Sequence, residues 1–211
     1  MALYLDSADL NDAQRAMELG FVFGVTTNPT LIAKVGRHGL DVLRDLLEAT
    51  SGPVFYQVTA ETVEGRAVQA QEAAALSPQR VVIKIPATTE NIALAARLSR
   101  EGGVRCAITA VSSPAQAYLA VQAGAEYVIP YVNRLTRQMG DGIAVLRDVA
   151  AIVRGSRARV LAASLKTCDE VVAAVLAGAD DVTIPLAVIL ALGEHELSYR
   201  AIADFAASTK A

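Results

Sequence analysis

At 211 residues and 22.1 kDa, the chain is long enough to bury about 70% of its extended-chain surface in one core without disulfides or metal staples. Hydrophobic residues at 53% and charged residues at 19% exclude a disordered chain, and a net charge of -3 offers no basic face for a nucleic-acid backbone. Two cysteines, Cys106 and Cys168, exclude a disulfide scaffold, and no apolar run reaches the roughly 18 residues of a membrane span, so the composition predicts a soluble, cytoplasmic protein.

The chain opens on a strand-like run at residues 3–7, followed by a helical stretch at 9–19 for which Asp6 and Ser7 are candidate caps. A second apolar run at 22–27 leads through Asn28-Pro29, a turn-favouring pair, to a helix at 40–49 with Leu40, Leu43, Leu46 and Leu47 on one stripe. Run three at 53–59 precedes a helix at 63–75, run four at 81–86 a helix at 91–100, and run five at 104–111 a helix at 114–123 that stops at Gly124. Run six at 127–132 is followed by a helix at 142–153, and run seven at 159–164 by one at 169–177 that stops at Gly178. Asp180-Asp181 reads as a solvated turn before run eight at 181–186, and short helices at 187–192 and 198–208 close the chain.

Most of these runs are continuously apolar rather than alternating, which is how strands read when both faces are covered, as in a parallel sheet. Eight β/α alternations of about 26 residues each predict an α/β fold: a single (β/α)8 barrel domain over 1–211, small for its class, with a short C-terminal helix. An open doubly wound sheet would carry a glycine-rich turn after its first strand, and Asp6-Ser7-Ala8-Asp9 has none.

Chemistry in a barrel sits at the C-terminal ends of the strands. The polar residues that end or closely follow the apolar runs are Asp6, Thr26, Asn28, Gln57, Lys84, Thr109, Tyr131, Asn133, Arg134, Ser164 and Lys166; run eight adds no evident polar group. Lys84 is the sharpest of them. It lies in Val81-Val82-Ile83-Lys84-Ile85-Pro86, and alternation puts it on one face with Val82 and Pro86. One face of the strand meets the helices and the other the barrel interior, and neither suits an ammonium. A neutral amine in a dry pocket is a carbonyl nucleophile that yields a Schiff base. The bland alternative is a snorkelling or ion-paired structural lysine.

Schiff-base aldol chemistry needs a carboxylate or amide near the iminium and a relay for the proton that leaves the substrate hydroxyl. Asp6, Thr26 and Asn28 could orient ketose hydroxyls, while Gln57, Thr109 and Tyr131 could hold one water between them. Taken singly, each has a plain alternative: Asp6 as a helix cap, Asn28 as part of a turn, Tyr131 as a packed aromatic, Gln57 as a wall residue. Arg134, Ser164 and Lys166 follow runs six and seven, where barrels often hold phosphate, and arginine suits its bidentate geometry.

The strings Leu3-Tyr4-Leu5-Asp6, Gly24-Val25-Thr26-Thr27-Asn28-Pro29, Gln57-Val58, Val82-Ile83-Lys84-Ile85-Pro86, Tyr131-Val132-Asn133-Arg134 and Ala162-Ala163-Ser164-Leu165-Lys166-Thr167 resemble the small transaldolases and fructose-6-phosphate aldolases. The resemblance implies that Lys84 is the Schiff-base lysine and that Asp6, Thr26 and Asn28 surround the dihydroxyacetone unit. It further implies that Arg134 and Ser164 hold phosphate, with Lys166 as a third ligand. No metal or organic cofactor is implied. The partners implied are a sugar phosphate and a dihydroxyacetone-type ketone, and a homo-oligomer, pentamer or decamer, built through terminal helices.

The family holds two activities. A glutamate at the strand-three position and a phenylalanine at the strand-six position look like transaldolase, whereas Gln57 and Tyr131 look like aldolase. A phenol can deliver a proton to the enamine carbon through water, which frees the bound ketol. Ile129 is bulkier than the small residue expected near the donor ketone, so the donor range is expected to differ. The first reading is therefore a class I aldolase acting on fructose 6-phosphate or a related aldol; a transaldolase with the same lysine is the alternative, and a non-catalytic sugar-phosphate-binding barrel the third.

Overall fold

Capping side chains set where most helices begin in the computed structural model, which describes residues 1–208; the last three positions of the expected domain lie outside the described residues. The elements run β1 (Leu3–Asp6), α1 (Leu10–Glu18), β2 (Val22–Thr26), α2 (Pro29–Val35), α3 (Gly39–Ala49), β3 (Val54–Gln57), α4 (Val63–Leu76), β4 (Val81–Pro86), α5 (Thr89–Gly102), β5 (Cys106–Val111), α6 (Pro114–Gln122), β6 (Tyr127–Pro130), α7 (Val132–Met139), α8 (Gly142–Val153), β7 (Arg159–Ala162), α9 (Cys168–Leu176), β8 (Asp181–Ile184), α10 (Leu186–Ala191) and α11 (Glu196–Ser208). Thr62, Thr88, Ser113, Asp141 and Thr167 each accept a first-turn amide of the helix that follows. The cap of α1 is Asp9, which accepts from the amides of Asn11 and Asp12, and not Asp6 or Ser7 as expected. Asp6 is thereby released from a capping role.

Two helices went unread in the sequence. Asn28-Pro29 does not make a simple turn: Asn28 Oδ1 accepts from the Leu31 amide at 3.1 Å, Pro29 takes the first helical position, and Gly36 in left-handed conformation ends α2. Similarly, β6 stops at Pro130 and the chain turns at Tyr131 into α7.

All eight strands pair in parallel and in sequence order, and β8 closes on β1. Side-chain alternation then separates two packed layers. Inward-facing Tyr4, Phe55, Val82, Ala107, Tyr127, Ile129, Leu161 and Ala163 fill the barrel. The opposite faces, among them Leu5, Val25, Ile83, Ile85 and Ile108, meet buried helix alanines such as Ala13, Ala70, Ala117 and Ala174, whose small side chains bring helices close to the sheet. Lys84, two residues after Val82, therefore points into the barrel. Ile129 packs in the interior layer and is fully buried.

The N-terminal end of the barrel is closed. Tyr4 packs edge-on against Phe55 and Tyr127, and the two phenol oxygens lie 3.1 Å apart. Asp181 was expected in a solvated turn. It is instead fully buried at the start of β8, gripped at 2.6 and 2.7 Å by the Arg159 guanidinium and bound by the Ala2 amide. A buried carboxylate is tolerated because its charge is paired and its lone pairs are filled.

Candidate active site

At the other end of the barrel the strands open into a cleft of about 410 Å³. Its lining includes eight of the ten expected site residues: Asp6, Asn28, Gln57, Lys84, Tyr131, Arg134, Ser164 and Lys166. The remaining two, Thr26 and Thr109, are fully buried, and their hydroxyls donate to two residues that line the cleft, Asp6 and Tyr131. Asn133 is drawn away: its amide donates to Glu170 Oε1 at 2.6 Å and ties α7 to α9.

Lys84 is 2% exposed. Its Nζ donates to the Thr27 carbonyl at 2.8 Å, and among the described residues no carboxylate lies within 4.0 Å of it. The bland alternative of an ion-paired lysine is thus not realised. One fixed acceptor aims the amine and leaves the rest of its valence for the cleft.

Asp6 stands beside it at the end of β1. Thr26 Oγ1 donates to Asp6 Oδ1 at 3.1 Å. Burial holds the Asp6 carboxyl above the ordinary 3.8, opposed by the charge of Lys84, the Thr26 hydrogen bond and the charge of Lys166. The result is a carboxylate that takes a proton more readily than an exposed one.

On the far side, Thr109 Oγ1 donates to the Tyr131 phenol oxygen at 2.9 Å. Gln57, level with Lys84 in the β3–β4 register, holds a buried Oε1 with no protein partner among the described residues. An unpaired buried acceptor is costly, and a water in the cleft would satisfy it. The Arg134 guanidinium lies 4.9 Å from the Tyr131 ring centre, at the first turn of α7, where helix amides add positive potential.

Two residues lining the cleft, Ser164 (φ 61) and Ala110 (φ 55), hold left-handed backbone without being glycine. Such conformations cost on the order of 1–3 kcal/mol each and gather at functional sites. The Ser164 carbonyl accepts from the Asn133 backbone N–H at 3.1 Å, which sets the loop after β7 against α7.

The structure adds two residues that the sequence reading passed over. Lys34, on the unread α2, lines the cleft. Thr183 brings a buried hydroxyl from β8, a strand expected to contribute none, and sits 2.7 Å from Thr26 Oγ1. Its signal was a polar residue within Asp181-Val182-Thr183-Ile184, the same kind of signal that singled out Thr26 and Thr109. The cleft then carries Lys34, Lys84, Arg134 and Lys166 against Asp6 alone, in a chain whose net charge is -3. Its field draws anions.

Among the described residues no helix is long and apolar enough to cross a membrane. In fold, the chain is similar to an inosine 5′-monophosphate dehydrogenase from Legionella pneumophila, with a TM-score of 0.63 at 17% identity over 89% of this chain and 58% of that one. In sequence, it is 38% identical over 207 residues to a probable transaldolase of Geobacter sulfurreducens, covering 97% of this chain and 96% of the relative. It is 39% identical over 209 residues to a probable transaldolase of Anaeromyxobacter dehalogenans, covering 98% and 95%. The family model described as "Transaldolase/Fructose-6-phosphate aldolase" matches residues 3–211. With its lysine at the mouth of a closed eight-stranded barrel and that match over nearly its whole length, the chain belongs to the transaldolase/fructose-6-phosphate aldolase family.

Proposed function

We propose that this protein is a class I aldolase that cleaves or forms fructose 6-phosphate or a related aldol, from a dihydroxyacetone-type donor and glyceraldehyde 3-phosphate. The observation that carries the reading is the buried Lys84 amine, held by one backbone carbonyl and facing a cationic cleft. Lys84 adds to the ketone carbonyl, and loss of water leaves an iminium. Asp6 takes the proton of the hydroxyl on the carbon beyond the breaking bond. The C–C bond then breaks, its electrons pass to the iminium to give an enamine, and the aldehyde leaves. Arg134, Ser164 and Lys166 hold the phosphate of that aldehyde. A water between Gln57, Thr109 and Tyr131 delivers a proton to the enamine carbon, and hydrolysis of the resulting iminium frees the ketone and Lys84.

The second reading is transaldolase, favoured by the names of the relatives. In it the enamine waits for a second aldehyde instead of a proton. Gln57 and Tyr131 support the first reading, because a phenol beside the enamine offers the proton that phenylalanine cannot. The experiment is to incubate with fructose 6-phosphate, add borohydride and weigh the protein, then assay release with and without an added aldehyde. A mass gain that disappears in Lys84→Met, together with release that needs no acceptor, supports the aldolase. No gain in the wild type would reduce the protein to a sugar-phosphate-binding barrel.

A homo-oligomer is proposed as the working form. Helix α11 exposes Leu197, Tyr199, Ile202 and Phe205 by 57–70% and buries none of its own residues. The total surface of 10654 Å² exceeds the roughly 9,300 Å² of a compact monomer of this mass. A second copy of this chain would cover that helix, and sedimentation would show it.

A further inference from the structure

We propose that Thr183 is a positioning residue, which fixes the hydroxyl of Thr26 as a donor to Asp6 and so sets the proton affinity of that carboxylate. The inference rests on the reading of Asp6 as the base. Thr183 is 1% exposed and Thr26 fully buried, and their hydroxyl oxygens lie 2.7 Å apart. Thr26 Oγ1 is also 3.1 Å from Asp6 Oδ1.

A threonine hydroxyl has one proton. An ionised Asp6 has none to give, so the Thr26 proton is committed to Asp6. Thr26 can then meet Thr183 only as acceptor, and Thr183 must donate. The order is Thr183 to Thr26 to Asp6, running from β8, where Thr183 is level with Tyr4, through β2 to Asp6 at the cleft end of β1. Without the Thr183 proton, a lone pair of Thr26 is left buried and unfilled, and the rotor that aims its hydroxyl at Asp6 is free. If Asp6 takes a proton on Oδ1, the chain can turn round, with Thr183 accepting. A hydroxyl at 183 therefore serves both protonation states, which neither an apolar residue nor a fixed donor would do.

The groups around Asp6 are Lys84 from β4 and Lys166 after β7, whose charges act on it, with Tyr131, Arg134 and Lys34 lining the same cleft. None of them belongs to the Thr183–Thr26 chain, so removal of the Thr183 hydroxyl leaves their charges in place.

The test compares wild type, Thr183→Val and Thr183→Ser. Two quantities are read: the carboxyl titration of Asp6 by carbon NMR in the unliganded protein, and the pH dependence of kcat for fructose 6-phosphate cleavage. In Thr183→Val the Asp6 titration and the acid limb of kcat are expected to move to higher pH together. The kcat falls about tenfold, the scale of one buried hydrogen bond, with KM little changed and imine trapping at Lys84 retained. Thr183→Ser restores both titration and rate. A folded Thr183→Val in which Asp6 titrates as in the wild type overturns the proposal. Should the valine variant not fold, Thr183→Cys keeps the volume with a far weaker donor and carries the same comparison. Asp6→Asn separates the two ideas: wild-type turnover in that variant removes Asp6 as base, whereas the Asp6 titration in the Thr183 variants judges Thr183 independently of turnover.

Discussion

The Tyr131 phenol oxygen accepts a hydrogen bond from Thr109 Oγ1 at 2.9 Å, so its own proton is left to be donated into the cleft. The two residues come from neighbouring strand ends, with Thr109 inside β5 and Tyr131 one residue past β6. The bond fixes both the position of the phenol and the direction in which it can act.

Tyr131→Phe removes that proton and little volume. Release of free ketone is expected to fall by about 10²–10⁴-fold, the range of a positioned acid–base group. Imine trapping at Lys84 should persist, and transfer to an added aldehyde should fall less, because the acceptor carbon takes the place of the proton. Release and transfer rates from one enzyme stock decide the matter. Equal, modest losses in both would return Tyr131 to the role of a wall residue.

Arg134→Ala is expected to weaken phosphorylated aldehydes by about 1.5–3 kcal/mol, the worth of a charge-assisted hydrogen bond. Unphosphorylated glyceraldehyde should change far less. Lys34→Met should show a smaller effect that fades with added salt, since an exposed lysine acts through screened charge. The measurement is KM for each acceptor at two ionic strengths, and an Arg134→Ala loss independent of the phosphate would refute the assignment.

Asp6 carries a pH prediction of definite sign. Its carboxyl is raised in the folded state by burial. Between the ordinary 3.8 and that raised value the folded protein binds more protons than the unfolded chain. Stability contributed by this group therefore falls as pH rises through that window. Asp6→Asn removes the buried charge and should unfold at a higher temperature at neutral pH, with the difference shrinking below pH 3.8, while turnover is lost. Melting curves of both proteins across pH test it; a variant less stable than wild type at neutral pH contradicts the sign.

Arg159→Met leaves Asp181 buried without its guanidinium and should cost about 3 kcal/mol of unfolding free energy. The pair closes the end of the barrel opposite the cleft, so KM and kcat of the folded fraction are expected to stay at wild-type values. Denaturant unfolding alongside kinetics would show whether the two ends are independent in this way.

The barrel was legible in the sequence because its strands are buried on both faces and announce themselves as apolar runs, with helices of 3.6-residue period between them. The lysine was legible for the same reason, as a lone charge in Val81–Pro86. Helices α2 and α7 escaped because they are short and begin immediately after strands, so Asn28-Pro29 and Tyr131-Val132 read as turn and strand. Lys34 was lost with α2. Asp181 was misplaced because two aspartates in a row look solvated, and only the arrival of Arg159 from the neighbouring strand makes burial tolerable. The left-handed backbone at Ser164 and Ala110 left no trace, since neither is a glycine. The sequence by itself thus determined the fold and the residue types at the mouth of the barrel, through burial patterns that are local and periodic. Which hydroxyl meets which, as with Thr183, Thr26 and Asp6 across 157 and 20 residues of sequence, was decided only when closure of the barrel set β8 beside β1. Which groups pair depends on distances of about 3 Å that no spacing along the chain encodes.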